Sequence, residues 1–281
     1  MMSTNIYIDG DILVYQCIWK AKKTKDIKKK VDQAITNIMS DLDGGVGKIA
    51  IKGDNNFRKT IYPPYKGHRK KEATEQEKEF FEYTYNYLTE GWGAIPAHGM
   101  EADDLIAIWN TEEPGIMVSI DKDMLQVPGV HYNTRKQEYT HVTEDDASML
   151  LHTQVLTGDS TDNIPGLKGI GPVKAAKIMD NVPVSQHLTK VKEVWQKEYG
   201  RGWEDNLQLN MDLIYLRRSE DDRYDTRKGR TSDNNKNDSL VNREGGSGSG
   251  SVDGDTTISM EVSTGDDLGG SGVKPEDISD F

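Results

Sequence analysis

A single cysteine, Cys17, stands in a chain of 281 residues. One thiol excludes an intramolecular disulfide and a thiolate metal cluster, and it fits a reducing compartment. Any metal must then be held by oxygen or by histidine. Long apolar runs are missing too: none approaches the ~20 residues that a membrane span needs. The opening "MMSTNIYIDGD" lacks the basic and apolar regions of a secretory signal. The expected setting is the cytoplasm, with no membrane partner. No repeat of 20 to 50 residues is visible.

Carboxylate is what the chain has in excess, with 47 Asp+Glu against 35 Lys+Arg and a net charge of -12. The excess is uneven. Residues 219–281 hold 15 acids and 7 bases, a net of -8, which leaves -4 for residues 1–218. The same end is rich in Gly and Ser, as in "REGGSGSGSVDGD", and lacks apolar periodicity. Such a segment cannot bury enough surface to offset its ordering entropy, so 219–281 reads as a disordered tail. Its last residues, "VKPEDISDF", read either as a solvated end or as a short peptide ending in Phe281 that a replication protein docks.

Ahead of the tail, apolar stretches with β character alternate with helical ones, the pattern of an α/β fold with a mainly parallel sheet. "NIYID", "GKIAIKG" and "GIMVSID" read as buried strands, and helices are expected at 28–42, 72–90, 102–110, 144–156, 172–180 and 184–199. Three regions follow: 1–150, 151–218 and the tail. Ligands of parallel sheets sit at the carboxyl ends of strands, where Asp9, Asp54 and Asp121 fall.

Each acid alone is ordinary turn or capping chemistry. "GMEADDLIAIW" is denser, because Glu101, Asp103 and Asp104 crowd one helix start and repel one another unless cations neutralise them. "SIDKDMLQV" adds Asp121 and Asp123, and "GDSTDNIPG" adds Asp159 and Asp162. Nine acids at the ends of core elements are hard to explain as independent turns. Hard oxygen ligands select Mg²⁺ or Mn²⁺, and two such ions about 4 Å apart can clamp a phosphodiester and activate water. The spacing does not match the loop of a calcium-binding EF-hand.

"GLKGIGPVKAAKIM" supplies a different chemistry: Lys168, then Gly169 and Gly171 around Ile170, Pro172 at a helix start, and Lys174 with Lys177 beyond. Glycines and a helix N-terminus suit close approach to a phosphate. The stretch resembles the hairpin of helix-hairpin-helix DNA-binding motifs. Seven lysines between Lys20 and Lys30 read as a solvated face, whereas "YPPYKGHRKKE" mixes Tyr65 with Lys66, His68 and Arg69 and suits base stacking beside phosphate pairing. With the nine acids set aside, residues 1–218 carry 23 acids against 28 bases, a basic surface around an acidic centre.

Taken in order, "YIDGD", "YKGHR", "EADD", "SIDKDMLQ" and "GDSTDNIPGLKGIGPVKAAKIM" resemble the 5′ nuclease family, which includes the 5′-to-3′ exonuclease domain of bacterial DNA polymerase I, phage 5′ exonucleases and flap endonucleases. The resemblance implies a PIN-like α/β domain, a helix-three-turn-helix element and a helical arch. It places metal ligands at Asp9, Asp54, Glu101, Asp103, Asp104, Asp121, Asp123, Asp159 and Asp162, with two Mg²⁺ that Mn²⁺ can replace. Lys66 and Arg69 match the basic arch positions, and the turn at Gly169 to Gly171 matches one that often carries K⁺. The implied reaction is 5′-to-3′ hydrolysis of duplex DNA at an end, nick or flap, or of an RNA·DNA hybrid, in replication, recombination or nucleotide salvage. A PIN-type ribonuclease shares the early acids but does not need the hairpin. A silent DNA-binding factor would have lost its ligands.

Overall fold

In the computed structural model the described residues are 4–44, 47–68 and 73–230. Six strands form one sheet: β1 (Ile6–Asp9), β2 (Lys48–Lys52), β3 (Ile95–Ala97), β4 (Ile116–Val118), β5 (Gly129–Asn133) and β6 (Glu138–Val142). Their spatial order is β3-β2-β1-β4-β5-β6, parallel throughout except that β6 runs antiparallel to β5. The expected mainly parallel α/β sheet is present, with β1, β2 and β4 on the three stretches read as strands.

The period of two in these strands decides which face each side chain joins. Ile6, Ile8, Ile49 and Ile51 point into a core shared with α1 (Gly10–Ile18), α2 (Thr24–Asp41) and α4 (Glu75–Trp92). Tyr7, Ala50 and Met117 face the other way, onto Ala102, Ile106 and Ala107 of α5 (Ala102–Glu112). Burying an Ile side chain is worth ~1.5–3 kcal/mol, so a one-residue slip of β1 would forfeit several such contacts. On α2 the stripe Ile27, Val31, Ile35 and Ile38 faces the core, while Lys28 and Lys29 stay exposed.

A third core joins α6 (Glu144–Thr157), α7 (Pro172–Met179), α8 (His187–Tyr199) and α9 (Trp203–Ile214). Between α6 and α7 runs the expected hairpin, whose base is a pair of two-residue strands, β7 (Gly158–Asp159) and β8 (Ile164–Pro165). Strand order reverses at β1, with β2 on one side and β4 on the other. The crevice outside their carboxyl ends is the switch point where such sheets bind ligands.

Several elements were not read from the sequence: α1, α3 (Phe57–Ile61), α9, β3, β5 and β6. In α1 the Gly at its first position reads as a breaker. β3 has three residues, too short to show alternation. α4 begins at Glu75 rather than near 72, because Thr74 and Glu77 form a capping box. Its Phe80, Thr84 and Leu88 are buried, so this helix packs on the first core along its length. The boundary of the tail also moves. Residues 219–230 are folded back, with Asp222 and Thr226 buried and a short pair formed by β9 (Tyr224–Asp225) and β10 (Gly229–Arg230). The rest of the tail, including Phe281, lies outside the described residues. Among the described residues no helix is long and apolar enough to cross a membrane.

Candidate active site

Asp9 ends β1 and caps α1, with Oδ1 accepting from Ile12 N at 3.3 Å and Oδ2 accepting from Ser119 Oγ at 3.0 Å. Ser119 follows β4 and accepts from Asp121 N at 3.0 Å, so one hydroxyl ties the acids of two adjacent strands. Asp121 Oδ1 in turn accepts from Asp123 N at 2.8 Å, which tightens the 3-10 turn Lys122–Gln126. Asp123 Oδ1 accepts from Gln154 Nε2 of α6 at 2.6 Å. Burial and the neighbouring Asp11 push the Asp9 carboxyl up to about 7. Burial and Asp121 do the same to Asp123, also to about 7.

The start of α5 brings three more acids, and they divide. Asp104 is fully buried and takes both guanidinium nitrogens of Arg58, at 2.5 and 2.9 Å. It also accepts from Glu101 N and Arg217 N, each at 3.0 Å. Burial alone would raise its carboxyl, but the Arg58 charge and hydrogen bonds outweigh that and hold it low. Asp103, the residue before it, has no hydrogen-bond donor among the described residues. Burial, then Asp9 and Asp121, raise it well above the usual carboxylate range. Glu101 is bound by Lys66 Nζ at 2.7 Å and Tyr65 OH at 2.9 Å. Lys66 and Arg58 hold it low against the effect of burial.

Tyr65 departs from its expected role. Its ring is 3% exposed and belongs to the third core, so it cannot stack on a base. Its hydroxyl instead lies between Glu101 Oε2 and Asp162 Oδ2, 3.0 Å from the latter. Lys66 adopts a positive φ of 53° and places its ammonium between the same two acids, 3.5 Å from Asp162. Arg69 lies outside the described residues. Asp159 is close enough to Asp123 to raise it, and its Oδ1 accepts from Thr161 N and Asp162 N. Asp54 is not drawn in. It is 67% exposed and bonded to His98 Nδ1 at 2.6 Å, which lowers it.

The structure therefore links Asp9, Asp103, Asp121, Asp123 and Asp159 through mutual repulsion, and Glu101 with Asp162 through Tyr65 and Lys66. Among the described residues no three acids or histidines are already drawn around one point as ligands would be. On the hairpin, Lys168, Gly169, Gly171, Lys174 and Lys177 are exposed, while the Ile170 side chain anchors the turn in the core. Gly169 has φ +76°, a conformation that disfavours any other residue. Gly171 has neither a positive φ nor a neighbour within 4 Å of an added Cβ, so nothing among the described residues requires glycine there.

Residues 5–152 match the family described as "5′-3′ exonuclease, N-terminal resolvase-like domain". The chain belongs to that family. Among its relatives, the DNA polymerase I of Rhizobium leguminosarum is 31% identical over 179 residues, 57% of this chain but 18% of that protein. The flap endonuclease Xni of Shewanella sp. strain W3-18-1 is 29% identical over 196 residues, covering 63% of this chain and 74% of the relative. The chain thus spans less than a fifth of the polymerase and about three quarters of the endonuclease. In fold it is similar to the 5′-exonuclease of phage T5 in a structure with bound zinc ions, with a TM-score of 0.60, 20% identity and coverage of 75% and 89% of the two chains. The expected PIN-like fold of the 5′ nucleases is the fold the two share.

For this 5′-3′ exonuclease family member, sequence reasoning missed Arg58, Ser119, Gln126 and Gln154, the residues that hold the acids in place. Arg58 sits in "DNNFRKT", where one Arg among polar residues reads as surface. Only the fold shows that it is 1% exposed and also donates to Leu213 O and Tyr215 O at the end of α9. Asp11, the second acid of "YIDGD", accepts from Lys52 N at 2.9 Å and Tyr85 OH at 3.0 Å.

Proposed function

We propose that this chain is a divalent-metal-dependent 5′-to-3′ exodeoxyribonuclease that hydrolyses phosphodiesters of duplex DNA, with cleavage of flaps and of RNA·DNA hybrids at the same site. One observation carries the reading: Asp9, Asp103 and Asp123, buried or half-buried, and the exposed Asp121 beside them form an anionic centre with no ion pair to a lysine or arginine among the described residues. All-oxygen donors of this kind fit Mg²⁺, with Mn²⁺ as a substitute. The residues that would hold the ions are Asp9, Glu101, Asp103, Asp121, Asp123, Asp159 and Asp162. Asp104, expected as a ligand, is already bidentate to Arg58 and serves to anchor α5. Asp54 stands apart with His98.

When bound, the ions supply charge neutralisation and activation of water at the scissile phosphate. The chain's own residues orient the reaction. Ser119 fixes Asp9 against Asp121, and Tyr65 and Lys66 fix Glu101 against Asp162. Lys66, whose side chain is 23% exposed and whose ammonium lies 2.7 Å from Glu101 and 3.5 Å from Asp162, is proposed to meet the phosphate together with Arg69. The exposed turn at Lys168 to Gly171, with Lys174 and Lys177, is proposed to hold the duplex backbone, with K⁺ bound at the turn. The hairpin favours DNA over the PIN-type ribonuclease reading.

The test uses 5′- and 3′-labelled duplexes, flaps and RNA·DNA hybrids with Mg²⁺ or EDTA. Release of 5′ label that requires metal and disappears in Asp159→Asn/Asp162→Asn is expected. Wild-type turnover by that variant would overturn the ligand assignment, and release from 3′ ends would overturn the polarity.

A further inference from the structure

We infer that Gln154 is a positioning residue: a neutral amide, itself held from behind, that decides which oxygen of Asp123 is left for a cation. The inference rests on the metal-dependent reading above. Gln154 is 8% exposed and donates Nε2–H to Asp123 Oδ1 at 2.6 Å. Its Oε1 accepts from Gln126 Nε2 at 2.7 Å, and the same nitrogen donates to Ile214 O at the end of α9, at 3.2 Å. Two acceptors facing one nitrogen orient the Gln126 amide, because a flip would set its oxygen against two others. That orientation leaves Gln126 Oε1 buried and without a partner, a cost that is hard to explain by packing alone.

The relay thereby points the Gln154 nitrogen at Asp123 and its oxygen away. Asp121 Oδ1 is engaged by Asp123 N, so each acid of the pair has one oxygen spent on the protein and an Oδ2 that accepts no hydrogen bond among the described residues. A neutral donor does this without the charge a lysine would bring, which would compete with the cation. Gln154 and Ile214 both lie beyond residues 5–152, so the relay joins the end of α9 to a carboxylate of the family domain. Losing such an outer donor typically costs 10- to 100-fold in metal affinity or activity.

Mn²⁺ binding to the full chain, followed by electron paramagnetic resonance, tests the relay alongside thermal unfolding in EDTA and kcat at saturating Mn²⁺. Gln154→Met keeps length and volume but cannot donate, and Gln126→Met removes only the clamp. Q154M is expected to raise the Mn²⁺ Kd by about 10- to 100-fold, with kcat recovered at saturating metal. Q126M should raise it less, and the double variant no more than Q154M, since both act through one contact. A Q154M affinity within about twofold of the unaltered chain, or losses that add in the double variant, would overturn the relay and leave the metal reading standing. Should Q154M fail to fold, an unchanged Kd in Q126M overturns it equally. An unaltered chain that binds no Mn²⁺ overturns the metal reading itself, and the relay with it.

Discussion

Asp103 and Asp104 follow one another on α5 and lie in opposite electrostatic surroundings. Behind the sheet, Asp104 has a buried counter-charge and four hydrogen bonds from Arg58, Glu101 N and Arg217 N. In the crevice, Asp103 meets the carboxylates of Asp9 and Asp121. A chain selected for stability alone would not gather uncompensated acids, because each raises the cost of ionising the next. The first region is a strut that uses charge to fix α3, α5 and the end of α9 together. The second gathers like charges at a cost in folding stability, which the proposed reading assigns to a place for cations.

The contrast can be broken at its strongest point first. Arg58→Met should cost about 3–5 kcal/mol, because it leaves Asp104 buried and unpaired. Arg58→Met/Asp104→Leu should recover much of that loss, as read from urea midpoints. An Arg58→Met midpoint equal to that of the parent would mean that the pair is not a strut.

A smaller effect, of opposite sign, is expected in the crevice. Asp9 and Asp123 have folded-state pKa values of about 7, against roughly 3.9 for an unfolded Asp. Between these values Asp9 and Asp123 bind more protons in the folded chain than in the unfolded chain. The buried, neutral His152 and His131 act in the opposite sense below about 6.5, but the two acids outweigh them, so stability in EDTA should fall as pH rises, most clearly from about 6.5 to above 7. Asp104 and Glu101 are held low, so their contribution is lost only below about 4, outside that window. Asp103→Asn should raise stability at pH 8 while lowering metal-dependent cleavage at least roughly a hundredfold. A melting temperature in EDTA that rises from pH 5 to pH 8 would contradict the uncompensated centre.

The smallest effect concerns the hairpin, which is charged but exposed. Lys174→Ala/Lys177→Ala should leave unfolding unchanged and reduce the salt slope of duplex binding by about 1 to 2. An unchanged slope would remove this helix from the interface.

Much of the site was legible because carboxylates at strand ends and helix starts are local features. Asp9, Asp121 and Glu101 stand where a buried strand or an apolar helix begins or ends, and that can be seen in windows of ten residues. The partners were not legible. Arg58 and Asp104 are separated by 46 positions, Gln126 and Gln154 by 28, and Ser119 and Asp9 by 110. Tyr65 was misread for the same reason: an aromatic beside Lys and Arg suits stacking locally, while only the packing of the helices after α6 shows its ring to be covered.

By itself the sequence determined the α/β alternation, the hairpin with its lysines, and the set of acids that could meet a metal, because periodicity, turn chemistry and charge are properties of short segments. The tertiary structure alone decided which of those acids are compensated. Repulsion and pairing act through space over a few ångströms, and the β1–β4 crevice and the end of α9 bring together residues that lie far apart along the chain.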